Sequence, residues 1–384
     1  MFLIVFLGIF LSSIISHGAV VNATGALIII SFAFYRGYLF KLSRVQVVII
    51  SLVSVFIVFN AFVFLLEFGF NPAQASRDAF LNNLLMFFIL LLYSISLSSI
   101  IIRKRELVNR SLYWILIINL AFFIIQFITV YASGHYLDAV HLFTGEESRY
   151  QNYFLQGAAS HLVEYRVTGL YVEPSTYVAA LCTLSTAYRL LTNKIGLYIS
   201  VIITCVMTFS TISFIVAVIM AVSLLKKSII WRSVIFFLAS LVPIVIIFND
   251  FFISAVDDFF LKMALTSGER LDLVHMIYYL DEKLNLIGYG LFSIPEKIHI
   301  LASTGVGQYR IASVNDAGLI NFIGMKFGLI GVSIVLLFVF SRFGYQKLMM
   351  CLSVLITKIS FMFPLFIVVL IPFLLDKYRD RHIV

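Results

Sequence analysis

The chain has 384 residues, of which 62% are hydrophobic and only 12% are charged. A soluble chain of this length would hold about two or three domains, whereas this composition is typical of one integral membrane domain, residues 1–384. The net charge of +8 does not require nucleic acid as a partner, because sorting of basic residues to one membrane face explains the excess more simply.

Apolar runs recur along the whole chain and are long enough to cross about 30 Å of hydrocarbon. Since only helices satisfy the backbone of such runs in lipid, they predict an all-α, polytopic integral membrane protein with about 11–12 transmembrane helices. The first run lacks a basic flank and a small-residue cleavage site, so it is interpreted as a span and not as a signal peptide. The runs lie near residues 2–16, 19–35, 45–69, 79–102, 111–133, 175–193, 195–210, 211–225, 233–249, 317–340 and 348–375.

Charge alternates between successive loops. Most acidic residues gather in two long loops, 134–174 and 250–316, which the positive-inside rule places outside the cytoplasm. Both loops are rich in Tyr, Phe and Leu, so a functional role is a better interpretation than disorder. The short basic loops, in which Glu106 is the single acid, are predicted to be cytoplasmic and comprise 36–44, 103–110, 189–194, 226–232 and 341–347.

The segment RVTGLYVEPSTY, residues 166–177, stands directly before an apolar run. Pro174 suits the first turn of a helix and places Glu173 at or near the N-cap. In a structural interpretation, Glu173 complements the helix dipole and Arg166 pairs with it or with a lipid phosphate. In a functional interpretation, Arg166 and Arg270 bring two guanidinium groups, which suit phosphate, to one membrane face. Arg270 heads an amphipathic stretch, so simple snorkelling to water is its alternative.

Further polar residues fall within or beside the predicted spans. Lys326 interrupts the run at 317–340, where a charge facing lipid costs about 2.5–3.5 kcal/mol, so we expect it to face a cavity or a partner. Asn315 and Asp316 precede the same run, and Ser210 and Ser213 lie at the turn between two spans. The His and Cys residues show no spacing typical of metal ligands, so the sequence predicts neither a metal nor a cofactor.

These residues together resemble the bacterial O-antigen and capsule polymerases (Wzy type), which are related to the O-antigen ligases. The likeness covers about residues 150–340. Ligases carry a His-Asn pair where this chain has Asn315-Asp316, which favours a polymerase. The resemblance is carried by RxxGLxxEPSxxA (Arg166, Gly169, Leu170, Glu173, Pro174, Ser175, Ala179), then in order by SxxS (Ser210, Ser213), SGER with Arg270, GYG, and VNDAGLINFIGMKFGLIG.

The resemblance implies a glycosyltransferase of the bacterial inner membrane. It would join undecaprenyl-diphosphate-linked oligosaccharides on the outer face, without a metal, into O-antigen, capsule or exopolysaccharide. Membrane lipids and a chain-length regulator protein are the other partners implied. Arg166 and Arg270 would stabilise the diphosphate, and Glu173 or Asp316 would act as the base. The residues expected to contact substrate besides these are Asn315, Lys326, Ser210 and Ser213.

Two alternatives remain open at the level of sequence. A polysaccharide flippase or other transporter would use the same charged cavity as a path, but it should show related halves, whereas the polar residues here crowd into residues 134–326. An O-antigen ligase is the other alternative. The family commonly ends in the cytoplasm, while an odd number of spans puts KYRDRH outside, so a span break near Lys358 and Pro364 is a further expectation.

Overall fold

A computed structural model describes residues 1–15, 19–39, 44–68, 77–150, 165–225, 286–292 and 318–379. Regular secondary structure in this part of the chain is helical, with no β-strand, which confirms the all-α prediction. The predicted run 233–249 lies outside the described residues. The helices are α1 (Phe2–Ser13), α2 (Ala19–Tyr35), α3 (Arg44–Phe68), α4 (Arg77–Ser133), α5 (Ala139–Thr144), α6 (Pro174–Thr192), α7 (Gly196–Met207), α8 (Thr211–Val222), α9 (Leu319–Arg342), α10 (Tyr345–Ile356) and α11 (Pro364–Arg379).

Helix α6 is the central element and follows its prediction closely. Glu173 is its N-cap residue in an extended conformation (φ −132°, ψ 151°), and Pro174 occupies the first turn, where a missing N–H costs nothing. The helix ends at Asn193 in the left-handed conformation (φ 59°), whose N–H donates to the carbonyl of Arg189 at 2.8 Å. Nearly all of its side chains are buried, so α6 is enclosed by its neighbours along its whole length.

Helix α4 combines two predicted spans and corrects the loop expected between them. The only non-helical residue described inside it is Lys104 (φ −140°, ψ 48°), so most of the predicted loop 103–110 is helical. Arg, Lys, Glu and Leu are good helix formers, which explains why the helix continues through a basic segment. Phe87 before the kink lies 6.4 Å from the ring of Phe361, and Phe123 after it lies 4.8 Å from the ring of Tyr177.

Those two contacts show that the chain reverses direction at Lys104. Tyr177 lies one helical turn after Glu173, and Phe361 lies close in sequence to Lys358, whose Nζ is 2.8 Å from the Glu173 carboxylate. Both halves of α4 therefore extend from the kink to the same end of the molecule.

The last predicted run, 348–375, was wrong as a single span. It forms two helices, α10 and α11, joined by the turn 357–363, and the expected break near Lys358 and Pro364 is confirmed. Pro364 begins α11 and restricts the residue before it to extended conformations, which ends any continuous helix there. The ring of Phe373 in α11 lies 5.1 Å from that of Phe343, directly after α9, so the chain returns toward the basic loop 341–347.

The bundle has two chemically different ends. At the basic end, the guanidinium group of Arg105 donates to the carbonyl of Leu191, and Arg189 donates to Ser223 Oγ at 2.9 Å. Arg103 lies 5.0 Å from the ring centroid of Tyr38 at the same end. Basic residues from two predicted short loops, 103–110 and 189–194, thus meet the ends of α2, α6 and α8.

The opposite end, called here the Glu173 end, collects the N-termini of α6 and α9 and the turn 357–363. The Leu319 N–H donates to the carbonyl of Thr357 at 3.0 Å, and Lys358 in the same turn pairs with Glu173 at 2.8 Å. Segments far apart in sequence are therefore brought together at this end.

Among the described residues, two helices are long and apolar enough to cross a membrane: Phe80–Ser133 within α4, and α9. Large hydrophobic side chains are also exposed on the outer faces of α3 and α9, where Phe59 is 62% and Leu337 is 69% exposed. Soluble monomers rarely expose such surfaces, so these features are compatible with a membrane protein. Helices α7, α8 and α10 have only 12 residues each, or about 18 Å, so the number of spans stays a prediction.

Candidate functional site

The residues before α6 form a fixed segment and not a loose loop. Gly169 has φ +61°, and a Cβ at this position would lie 2.7 Å from the ring of Tyr177, so only glycine fits. Its N–H donates at 2.7 Å to Oε1 of the fully buried Gln126 in α4. Gln126 Nε2 in turn donates to the carbonyl of Leu137 at 2.7 Å. One buried amide thus holds both residues 166–177, called here the EPS segment, and the start of the first long loop.

Glu173 is the centre of an ionic cluster. Its Oε2 accepts from Lys358 Nζ at 2.8 Å and from Ser175 Oγ at 3.2 Å, and its Oε1 pairs with the guanidinium group of Arg149. The side chains of Glu173 and Lys358 are 18% and 10% exposed, whereas that of Arg149 is 53% exposed. The carboxylate therefore joins one largely enclosed cation, Lys358, and one accessible cation, Arg149; the three residues are called here the Glu173 cluster.

The cluster determines the protonation state of its carboxylate. Burial raises the pKa of Glu173, but attraction and hydrogen bonding from Lys358, followed by attraction from Arg149, outweigh burial and lower the pKa from 4.5 to about 2. A general base works best when its pKa lies near the working pH. Glu173 is thus better suited to holding two cations in place than to accepting a proton, and its assignment as the base stays a prediction.

The chain around Arg149 is anchored to the segment that precedes Glu173. The Arg149 N–H donates to the carbonyl of Val172 at 2.7 Å, and the Arg166 N–H donates to the carbonyl of Tyr150 at 2.6 Å. Asp138 fixes Ser148, the residue before Arg149, because the Asp138 carboxylate accepts from both the N–H and the Oγ of Ser148 at 2.7 Å. Arg149 is consequently presented from a supported backbone although its side chain is half exposed.

Four tyrosines pack together beside this cluster, and we call them the tyrosine stack: Tyr131, Tyr136, Tyr150 and Tyr165. The rings of Tyr136 and Tyr150 are face to face, with centroids 3.9 Å apart and planes inclined by 9°. Tyr165 lies almost parallel to Tyr150 at 6.2 Å, and Tyr131 meets Tyr165 edge-on at 5.9 Å. The stack is partly exposed, with Tyr131 at 36%.

Of the sequence-predicted residues, Arg166 lies in the segment that leads to Glu173, with a partly buried side chain. Ser210 is the N-cap of α8, and Ser213 is buried, with no hydrogen-bond partner for its Oγ among the described residues. Thr204, shortly before this turn, accepts from the Tyr177 hydroxyl at 2.9 Å. The α7–α8 turn therefore also lies toward the Glu173 end.

Lys326 is buried, only 4% exposed, as expected for a charge that does not face lipid. Its Nζ lies 5.8 Å from the centroid of Phe322, whose ring is 4.9 Å from that of Phe361 in the turn 357–363. The following residues interrupt α9 at Gly328 (φ 63°, ψ −167°). This places a buried ammonium group in the helix segment that packs against the turn carrying Lys358.

The break in α9 is filled by the GYG segment. The N–H groups of Tyr289 and Gly290 donate to the carbonyls of Met325 and Lys326 at 2.9 and 3.0 Å. Carbonyls that a continuous helix would use internally are thereby satisfied by another part of the chain. The two motifs that follow each other in the resemblance, GYG and NFIGMKFG, are in direct contact.

Three predicted residues, Arg270, Asn315 and Asp316, lie outside the described residues. Two members of the Glu173 cluster, Lys358 and Arg149, were not among the predicted site residues, and neither was the tyrosine stack. Lys358 carried a usable signal, because it is a charge inside an apolar run in the same way as Lys326. For Arg149, the only signal in the sequence was its position in a long loop.

Within the described ranges, no group of three or more His, Cys, Asp or Glu residues is arranged to hold a metal ion. Comparisons of the chain with protein-family models, curated proteins and solved structures find no match. In the described ranges, fold and site together define an all-helical protein, compatible with a membrane protein, whose partly buried ionic cluster adjoins an aromatic stack at one end.

Proposed function

We propose that the chain is a multi-pass protein of the bacterial inner membrane and polymerises oligosaccharide units carried on undecaprenyl diphosphate, as the proteins that it resembles do. The exposed apolar faces of α3 and α9 support membrane embedding, and basic residues gathered at one end support that end as cytoplasmic. The Glu173 end then faces outward, where lipid-linked units are joined.

The observation that carries the proposal is the Glu173 cluster. It joins the EPS segment to Lys358 and Arg149, so two positive charges meet one carboxylate at the outward end. The leaving group of the proposed reaction is a lipid diphosphate, whose negative charge grows as the bond to the sugar breaks. Cations held in place before the reaction stabilise that charge without needing to reorganise. Glu173 acts in this scheme as a positioning residue.

The proposed step is a displacement at the anomeric carbon of the donor sugar. The acceptor hydroxyl oxygen forms a bond to this carbon while the bond from the carbon to the phosphate oxygen breaks. The electron pair of the broken bond stays on the lipid diphosphate, near Lys358, Arg149 and Arg166. The hydroxyl proton passes to a base. Of the two candidates, Glu173 has a pKa too low for this role, so Asp316 is the base in this scheme.

The test is polymerisation in vitro by purified protein, with lipid-linked repeat units extracted from cells that lack this chain as substrate. We expect wild-type protein to produce a ladder of products. Asp316→Asn should lower turnover by roughly 10²-fold or more because it removes the base. Glu173→Gln should lower turnover by roughly 10²-fold because the two cations lose the carboxylate that positions them. Glu147→Gln is the matched control, since this exposed carboxylate lies in the same loop. Absence of polymer from wild-type protein, or near-normal turnover by Glu173→Gln, contradicts the proposal. A strict requirement for a divalent cation contradicts the metal-free step.

A transporter is the second candidate, and the break in α9 at Gly328 is the observation in its favour, because discontinuous helices are typical of transporters. Transporters usually carry such breaks in both halves, whereas the irregular residue described inside α4, Lys104, lies at a reversal of the chain at the basic end. Movement of lipid-linked units across proteoliposomes without any change in their length would favour the transporter.

A further inference from the structure

The two cations of the Glu173 cluster contact the carboxylate in different surroundings. Lys358 contacts Oε2 with a side chain that is 10% exposed, and Ser175 Oγ donates to the same oxygen at 3.2 Å. Arg149 contacts the other oxygen, Oε1, with a side chain that is 53% exposed. One oxygen of Glu173 is therefore engaged inside the protein, whereas the other is engaged by a cation that solutes can reach.

The two ion pairs differ in how readily an anion from outside can break them. Separating Lys358 from Glu173 would leave an ammonium group that has little access to water, and leaving such a charge unpaired is costly. An ion pair with an exposed arginine contributes little to stability, because water screens the attraction and solvates the guanidinium group after release. Arg149 is consequently the cation of this cluster that can leave the carboxylate.

The backbone around Arg149 is fixed, so that only its side chain has to move when it changes partner. Its own N–H donates to the carbonyl of Val172 at 2.7 Å, and the preceding Ser148 is held by Asp138. The ring of the following residue, Tyr150, is stacked on another ring with centroids 3.9 Å apart. A residue supported in this way loses less conformational entropy when its side chain binds a ligand.

The chemistry of the contact indicates which anion would displace the carboxylate. A guanidinium group presents N–H donors in a planar fork, which suits the oxygens of a phosphate as well as those of a carboxylate. A diphosphate carries more negative charge than a carboxylate, so it competes well for a guanidinium group that is exposed. Glu173 Oε1 thus occupies the position on Arg149 that a phosphate oxygen would take.

We infer that the guanidinium group of Arg149 leaves Glu173 Oε1 and binds the diphosphate of an arriving lipid-linked unit, while Lys358 stays on Oε2; we call this the Arg149 exchange. The inference rests on the proposed function for the identity of the lipid-linked unit. It adds that Glu173 competes with the substrate for Arg149, so the carboxylate that organises the site also regulates access to it.

Binding of inorganic pyrophosphate, measured by calorimetry with the purified chain in nanodiscs of zwitterionic lipid, tests the Arg149 exchange without any polymerisation. Arg149→Gln should weaken binding by roughly tenfold or more, because charge-assisted hydrogen bonds to the phosphate are lost. Arg36→Gln is the control and should leave the affinity unchanged, since it removes an exposed arginine at the basic end. No binding by wild-type protein, or equal affinities for Arg149→Gln and wild type, overturns the inference.

Competition by Glu173 is tested in the absence of Lys358, so that no enclosed cation loses its partner. Lys358→Met keeps the contact between Arg149 and Glu173, whereas the double variant Lys358→Met/Glu173→Gln removes it. The double variant should bind pyrophosphate roughly two- to fivefold more tightly than Lys358→Met, which corresponds to the strength of an exposed ion pair. Equal or weaker binding by the double variant overturns the competition. Arg149→Gln, which removes only the exposed contact, keeps the test decisive where a Lys358 variant does not fold.

Two further measurements separate the sources of phosphate and the two proposals. Adding phosphatidylglycerol to the nanodiscs should leave pyrophosphate binding nearly unchanged; its loss would assign Arg149 to the headgroup of an ordinary lipid and overturn the inference. Pyrophosphate binding that requires Arg149 supports the Arg149 exchange even if wild-type protein makes no polymer and the proposed function fails. Equal polymerisation by wild-type and Arg149→Gln protein would overturn the Arg149 exchange and leave the proposed function standing.

Discussion

Glu173 shows how a single residue depends on a partner that is remote in sequence. Lys358 lies 185 positions further along the chain, and its side chain is even less exposed than the carboxylate that it contacts. Burying either charge alone is costly, whereas burying the hydrogen-bonded pair recovers much of that cost. The pair therefore makes the position of the turn 357–363 depend on the N-terminus of α6.

This dependence predicts strong coupling between the two residues. Glu173→Gln and Lys358→Met should each lower the free energy of unfolding by up to roughly 3–5 kcal/mol, because each removes the ion pair from a side chain that is at most 18% exposed. The double variant should lose less than the sum of both, which thermal or denaturant unfolding in detergent would measure. Arg149→Gln is the control: Arg149 is half exposed, so its loss should cost about 0–1 kcal/mol. Additive losses would contradict the coupling.

The same ion pairs predict an acid limit to stability. The pKa of Glu173 is lower in the folded protein than in an unfolded chain, so the pairs contribute fully above about pH 4.5 and are lost as the pH falls toward 2. The unfolding midpoint of wild-type protein should therefore fall more steeply between pH 5 and about 3 than that of Glu173→Gln. Parallel curves for the two proteins would show that Glu173 is not ion-paired in solution.

The sequence identified Glu173 but not its environment. Local rules sufficed for its place at the N-cap, because a proline in the first turn restricts the residue before it. Its partners were beyond those rules, since Lys358 and Arg149 reach it only through the packing of α6, α11 and the loop. The low pKa that follows from this packing favours the proposed positioning role over the predicted role as base, which stays a prediction.

At the scale of elements, two helices are interrupted in physically different ways. At Lys104 the backbone of α4 keeps a negative φ that any L-residue can adopt, and the chain turns back on itself. In α9 the conformation at Gly328 (φ 63°, ψ −167°) is accessible essentially only to glycine, and the GYG segment takes over the freed carbonyls. The interruption at Lys104 reverses the direction of the chain. The interruption at Gly328 frees backbone carbonyls to which the GYG segment donates hydrogen bonds.

Gly328→Ala should consequently be far more damaging than an ordinary glycine substitution. A Cβ at this position would lie 2.3 Å from the carbonyl of Leu286, and φ would remain unfavourable even if Leu286 moved. We expect a loss of at least about 2 kcal/mol in unfolding free energy, together with faster proteolysis near residues 286–292. Gly196→Ala is the control, because nothing lies within 4 Å of a Cβ there. Equal stability of the two variants would show that α9 is continuous in solution.

Hydropathy located most helices but not where they reverse. The run 348–375 is apolar enough to look continuous, and only Lys358 and Pro364 marked the turn inside it. Conversely, the basic segment 103–110 looked like a loop although its residues favour helix. The length of an apolar run indicates that the segment is compatible with lipid or with a protein core. A reversal of chain direction depends instead on one or two residues and on the side chains that pack around them.

For the molecule as a whole, the separation of its ends links charge to orientation. Arg103, Arg105 and Arg189 meet at one end, whereas the Glu173 cluster and the tyrosine stack lie at the other. Arginine at the basic end is held by cation–π contacts and by helix carbonyls, in addition to any attraction to anionic lipid. An orientation with the basic end in the cytoplasm therefore satisfies both the internal contacts and the positive-inside rule.

This orientation is testable with single cysteines and an impermeant maleimide applied to spheroplasts. Cys182 and Cys205 are buried and Cys351 is partly exposed, so Cys351→Ser provides the background. Glu147→Cys, exposed at the Glu173 end, should be labelled in intact spheroplasts, whereas Lys194→Cys, exposed at the basic end, should be labelled only after permeabilisation. A second reading of the orientation comes from a reporter fused after residue 384. The reporter should lie on the cytoplasmic side, like Lys194→Cys, because α11 returns the chain to the basic end. The reverse pattern for the two cysteines would place the Glu173 cluster in the cytoplasm and contradict the proposed function, which requires this cluster on the outer side. A reporter on the outer side with correctly labelled cysteines would instead show that the turn 357–363 does not bring the chain back, and would leave the ion pair between Lys358 and Glu173 without its geometric basis.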